Sequence, residues 1–140
     1  MIDRRPFVQK ILKNRKPNLR VISGLGTSTW DVMSGGDNTS NFGFIGAMGQ
    51  AIPFSLGLAK SQPDLRILLF TGDGDTLMSL GSIATVANHP VSNLSIVVCW
   101  IMSLMSKQNL YHGRFQWVLE HQRFWKQWML KFLELIIKKR

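Results

Sequence analysis

The sequence predicts an α/β fold: a parallel sheet covered by helices on both faces. Three observations carry this. Short apolar runs rich in β-branched residues alternate with segments of helical periodicity. No tight hairpin turn joins any two of those runs. Glycine-bearing stretches at 24–29, 46–49 and 72–75 follow the strand candidates. Ligands in such folds bind at the carboxyl ends of the strands, so one phosphate-bearing ligand can touch all three stretches.

The elements follow in order. Pro6 suits the first turn of a helix, and Phe7, Val8, Ile11 and Leu12 then share a face before Pro17 and Asn18 stop it. Arg4, Arg5, Lys10, Lys13, Arg15 and Lys16 read as its solvated side. No aromatic residues are interleaved there as a nucleic-acid surface requires. Residues 19–23 form the first strand candidate. The loop after it, Gly24-Leu25-Gly26-Thr27-Ser28-Thr29, lacks the third glycine of a dinucleotide fingerprint. A helix over 28–34 closes in the turn Gly35-Gly36-Asp37-Asn38. Residues 41–45 read as a glycine-interrupted strand. Residues 46–49 lead into an apolar helix over 51–60, with Pro53 in its first turn, where a missing N–H does no harm.

After the turn Gln62-Pro63-Asp64, residues 66–70 read as a buried strand. One helix is expected over 76–87, with Leu77, Met78, Leu80, Ile83, Ala84 and Ala87 on its apolar face and Met78 in the core. Asn88-His89-Pro90 ends it. His89 has no second His or Cys nearby and reads as a capping or surface residue. Residues 94–98 are the last strand.

The chemistry concentrates at Gly72-Asp73-Gly74-Asp75, between the buried strand and the helix. Glycines let the backbone turn tightly and approach a ligand. Amides opening into a helix suit a phosphate. A carboxylate beside phosphate oxygens suits Mg²⁺, a hard ion that takes few protein ligands. The plain alternative is an ordinary Asp/Gly turn.

Bulk properties exclude several classes. The 140 residues, 45% of them hydrophobic, make one domain's worth of chain. The net charge of +9 is uneven: residues 1–98 hold nine Lys/Arg against six Asp/Glu, and residues 99–140 hold eight against two. The excess therefore sits in the tail, which weakens a nucleic-acid role for the domain. Cys99 is the single cysteine, so no intrachain disulfide forms and a reducing, cytoplasmic setting is expected. The first residues lack the apolar stretch of a signal peptide, and no apolar run reaches the roughly 20 residues of a membrane span.

The flanking text decides against the plain turn. Ser23-Gly24-Leu25-Gly26-Thr27, Gly46-Ala47-Met48-Gly49, Gly72-Asp73-Gly74-Asp75, Leu80-Gly81-Ser82-Ile83-Ala84-Thr85 and Asn93-Leu94-Ser95-Ile96-Val97-Val98 stand in succession. With them, residues 2–98 resemble the diphosphate-binding domain of thiamine diphosphate-dependent 2-oxo acid decarboxylases. The form resembled is the separate subunit of the sulfopyruvate and phosphonopyruvate decarboxylase type. The resemblance implies that Asp73 binds Mg²⁺ and that Gly74 and Asp75 hold the diphosphate through backbone amides. It places Gly26 and Thr27 near the phosphates. The Gly46 carbonyl would receive the aminopyrimidine's amine, and Met48 would prop the cofactor in its bent form. Gly72 and Ala47 complete the cofactor-binding set. Thiamine diphosphate itself supplies the electron sink, so no catalytic side chain is assigned here. The glutamate that activates the aminopyrimidine belongs to another domain, and this chain has no Glu before Glu120. A hetero-oligomeric partner, a pyrimidine-binding subunit, is therefore expected, with a small 2-oxo acid as substrate.

The resemblance stops at Cys99, dividing the chain into a diphosphate-binding domain over 1–98 and a basic, aromatic tail over 99–140. The family's second metal ligand, an Asn, falls near position 101, where this chain has Ile101. Eleven of twelve glycines and all five prolines precede Cys99, while four of five tryptophans follow it. Codons for Cys99-Trp100-Ile101-Met102, TGY-TGG-ATH-ATG, read from the third base of the first as Leu-Asp-(Asn, His or Tyr) and then a codon beginning with G. The family expects Leu-Asp-Asn-Glu there. A one-base shift of the reading frame near codon 98 is the hypothesis, and an impaired, truncated domain is its consequence. The tail keeps a helical period through Phe124, Trp125, Trp128, Met129, Phe132, Leu133, Ile136 and Ile137. A basic amphipathic module for an anionic membrane or a partner's groove is the competing reading. The frame shift is preferred because it explains the tail without giving it a task.

Overall fold

The computed structural model describes residues 3–99. The elements run α1 (Arg4–Lys13), β1 (Leu19–Ser23), α2 (Thr27–Met33), β2 (Asn41–Gly43), α3 (Ala51–Ser61), β3 (Arg66–Gly72), α4 (Asp73–Met78), α5 (Leu80–Asn88) and β4 (Leu94–Cys99). The four strands are parallel in the order β2-β1-β3-β4. The helical tail expected over 99–140 lies outside the described residues beyond Cys99.

Alternation along the two central strands builds both layers. Val21, Leu68 and Phe70 point to one side, where they meet Val8 and Leu12 of α1 and Val32 of α2. Ile22, Ile67 and Leu69 point to the other, against Ala51, Ile52 and Ala59 of α3, with Ile83 and Val86 of α5 packed behind. A strand buried on both faces reads as a continuous apolar run, which is why 66–70 was legible. Helices thus cover both faces, as expected.

Four local features differ from the sequence reading. Arg4 and Arg5 carry a partner that the sequence did not reveal: both Nε groups donate to the carboxylate of Asp31 on α2, Arg5 at 3.3 Å while its side chain stays exposed. Asp31 is 1% exposed, and a buried carboxylate requires such partners. The second strand ends at Gly43, although Phe44 N–H still donates to the Ser23 carbonyl at 3.0 Å. The helix expected over 76–87 is two helices that break at Ser79. The Ser79 hydroxyl bonds the Gly49 carbonyl at 2.6 Å and the Asp75 carbonyl at 2.9 Å, and such bonding competes with a continuous helix. The break leaves Met78 at 63% exposure rather than in the core.

Cys99 ends β4 and is buried. Burial pushes its thiol above the ordinary range; the nearby Arg4 pulls the other way and Asp31 adds to the rise. A thiol whose pKa is raised by folding contributes stability below the unfolded-state value, and that contribution is lost as pH climbs through the folded one. Stability should therefore fall above about pH 8.5, the ordinary thiol value. Urea midpoints measured from pH 8 to 10 check this, and Cys99→Ala should flatten the decline.

Candidate functional site

The carboxyl ends of β1 and β3 are tied by Gly24 N–H, which donates to the Phe70 carbonyl at 2.8 Å. Above them sits a buried carboxylate, Asp75, at 5% exposure. Its Oδ1 accepts the Gly49 N–H at 2.5 Å, and its Oδ2 accepts the Thr71 hydroxyl at 2.6 Å. Gly24 presses against the same side chain: a Cβ there would collide with Asp75 Oδ2 and stand 2.9 Å from Thr71 Oγ1. Gly49 has φ +85°, and a Cβ on it would lie 3.1 Å from Met78 Cβ. Asp75 therefore joins all three glycine-bearing stretches into one body. Each of its two oxygens is spent inside the protein.

Asp73 is different. It opens α4, directly after Gly72, and is half-buried. Among the described residues its carboxylate forms no hydrogen bond or ion pair. Gly74 follows, and a Cβ there would stand 3.7 Å from Met48 Cε, so the Met48 methyl lies over the start of α4. Around this point backbone is open. Gly26 is exposed at φ +83° just before α2, and Thr27, the first residue of α2, is exposed. Gly46, Ala47 and Met48 are exposed as well, with Ala47 in the left-handed region at φ 59°. A non-glycine residue there is uncommon and costs about 1 kcal/mol or more.

Among the described residues no group of three His, Cys, Asp or Glu side chains is placed to hold a metal. Mg²⁺ needs no such cage. It is held by one or two carboxylates together with substrate phosphates and water. An unpartnered Asp73 beside exposed backbone at 26–27 and 46–48 fits a diphosphate carrying one divalent ion.

A family profile described as "Thiamine pyrophosphate enzyme, C-terminal TPP binding domain" matches residues 25–108. The chain belongs to this family. Its thiamine pyrophosphate-binding domain is 36% identical over 98 residues to the sulfopyruvate decarboxylase subunit beta of Methanothermobacter thermautotrophicus, covering 70% of this chain and 52% of that one. It is 36% identical over 87 residues to the phosphonopyruvate decarboxylase of Streptomyces hygroscopicus, covering 62% of this chain and 21% of that one. A solved structure from Mycobacterium smegmatis, assigned as a thiamin diphosphate-dependent enzyme, superposes with a TM-score of 0.52 at 25% identity over 66% of this chain and 20% of its own. The chain thus spans about half the length of the beta subunit it matches and about a fifth of the phosphonopyruvate decarboxylase.

Within this thiamine pyrophosphate-binding domain, five of the sequence-derived residues fall into two sets, while Gly46 and Ala47 are exposed, Gly72 is buried and Asp73 half-buried. Met48, Gly74 and Asp75 meet directly or through Gly49. Gly26 and Thr27 stand at the start of α2, both exposed. Two contributors escaped the sequence reading, Thr71 and Ser79, and Gly24 and Gly49 were read only as members of glycine-bearing stretches. A spacing signal existed, since Thr71, Asp75 and Ser79 stand four apart and bond in that series.

Proposed function

We propose that this chain is a thiamine diphosphate- and Mg²⁺-binding component of a 2-oxo acid decarboxylase, of the sulfopyruvate and phosphonopyruvate decarboxylase kind, in impaired form. The observation that carries the reading is the division of labour between two carboxylates two residues apart. Asp75 is consumed in tying the loops, and Asp73 is left open beside them.

Asp73 would hold the divalent ion. The backbone amides of Gly74 and Asp75, at the start of α4, would hold the diphosphate, with Gly72 shaping the approach and Gly26 and Thr27 alongside. Gly46 would accept the aminopyrimidine's amine, with Ala47 and Met48 supporting the ring. When bound, thiamine diphosphate supplies the electron sink for decarboxylation. The family's activating glutamate has no counterpart in residues 1–98, so a pyrimidine-binding partner subunit would complete the site. The beta-subunit name of the Methanothermobacter relative supports that arrangement. Ile101 stands where the family's Asn ligand is expected, which would leave the metal under-coordinated. The frame-shift reading predicts that the gene spells Asn in the alternate frame, and sequencing the gene checks it.

Calorimetric titration of the chain with thiamine diphosphate tests the assignment. Saturable heat with Mg²⁺, abolished by a chelator, is expected. No heat under either condition, or identical heat under both, would overturn it. Steady-state decarboxylation by the chain mixed with a pyrimidine-binding subunit would contradict the impairment alone.

A further inference from the structure

At the amino end of the sheet, away from the glycine-bearing loops, two guanidinium groups converge on one oxygen. Arg15 donates from Nη2 to the carbonyl of Leu19, the first residue of β1, at 3.3 Å, and Arg20 donates from Nη1 to the same atom at 3.4 Å. Arg15 is fixed further by Asn41 Oδ1 at 2.6 Å and the Ser40 carbonyl at 3.4 Å. Arg20 is fixed by the Pro17 carbonyl at 2.8 Å. Beside them is a recess of about 220 Å³, open to solvent, lined by Arg15, Lys16, Pro17, Leu19, Asn38 and Ser40.

Every acceptor these two arginines use is neutral. Among the described residues the ion pairs are those of Arg4 and Arg5 with Asp31. Asp37, adjacent in sequence to the recess, pairs with neither arginine. Two like charges held at one carbonyl repel each other, and each guanidinium carries five donors that its neutral acceptors do not exhaust. Burial, and then the charge of Arg20, lower the pKa of Arg15. A tetrahedral dianion relieves both problems, because guanidinium forks match phosphate oxygens in charge and geometry.

We propose that the recess lined by Arg15 and Lys16, with Arg20 held beside it on the Leu19 and Pro17 carbonyls, binds a phosphate-class oxyanion, at the opposite end of the sheet from the glycine-bearing loops. The site is independent of thiamine diphosphate. Its ligand is free inorganic phosphate or the phosphate group of a small metabolite.

The full chain is titrated with sodium phosphate at constant ionic strength, following the Nε–Hε signals of Arg15 and Arg20 by NMR and the melting temperature. Arg15 joins β1 to β2, so the test uses Arg20→Gln and Lys16→Gln, which leave that link intact. Saturable shifts at both arginine signals are expected, with the affinity weakened at least about fivefold by Arg20→Gln, the scale of one charge-assisted hydrogen bond. A parallel titration with glycerol phosphate separates the sources: tighter binding of the monoester supports a metabolite, and tighter binding of inorganic phosphate supports the free ion. The proposal is overturned if no saturable shift occurs. It is equally overturned if both variants respond like the parent, because phosphate would then be binding elsewhere, such as at the diphosphate loops.

Discussion

Asp75→Ala is expected to destabilise the domain by about 3 kcal/mol or more. Hydrogen bonds to a charged group contribute about 1.5–3 kcal/mol each, and this side chain accepts two in a buried setting. Removing it strands the Gly49 N–H and the Thr71 hydroxyl without partners, and it empties the volume against which Gly24 packs. For a domain near 100 residues, 1 kcal/mol moves the melting temperature by about 4–8 °C. The expected fall is therefore more than about 10 °C by circular dichroism. Asp75→Asn keeps an acceptor for the Gly49 N–H, and the Thr71 hydroxyl can turn to accept from the new amide, so it should lose much less. A melting temperature unchanged in Asp75→Ala would show that the three loops are not held by this carboxylate.

Asp73→Asn should do the reverse. The side chain has no protein partner among the described residues, so stability should stay within about 0.5 kcal/mol, as for a surface change. The Mg²⁺-dependent part of thiamine diphosphate binding should weaken at least about tenfold, or 1.4 kcal/mol, because a neutral amide replaces the anionic oxygen that a hard cation prefers. Calorimetry on parent and variant in Mg²⁺, beside a thermal melt of each, measures both effects. Two neighbouring aspartates would then separate cleanly, one by melting temperature and one by metal-dependent affinity.

What the sequence reveals, and what it hides, follows from how each residue is used. The central strands were legible because Ile67, Leu68, Leu69 and Phe70 are buried on both faces, and only a continuous apolar run satisfies that. The glycine-bearing loops were legible because glycine and aspartate at a strand end form a local pattern. Asp75 was legible only as a backbone contributor. Its side-chain role depends on Gly49, twenty-six residues earlier in the chain, and on the absence of a side chain at Gly24. The break at Ser79 was hidden for the same reason: the apolar period runs through it, and the hydroxyl that interrupts the helix reaches thirty residues back to Gly49. The pairing of Arg4 and Arg5 was hidden because Asp31, the carboxylate they bind, sits on another helix. Long-range polar partners have no period, and that is where the sequence reading failed.

The account rests on Asp73 and a diphosphate sharing one divalent ion at the start of α4. Mn²⁺ in place of Mg²⁺ makes that arrangement visible by electron paramagnetic resonance. With thiamine diphosphate added to the parent chain, the Mn²⁺ signal should show hyperfine coupling to ³¹P, and Asp73→Ala should lose it while its melting temperature holds. Mn²⁺ that binds without ³¹P coupling, or coupling that persists in Asp73→Ala, would contradict the account.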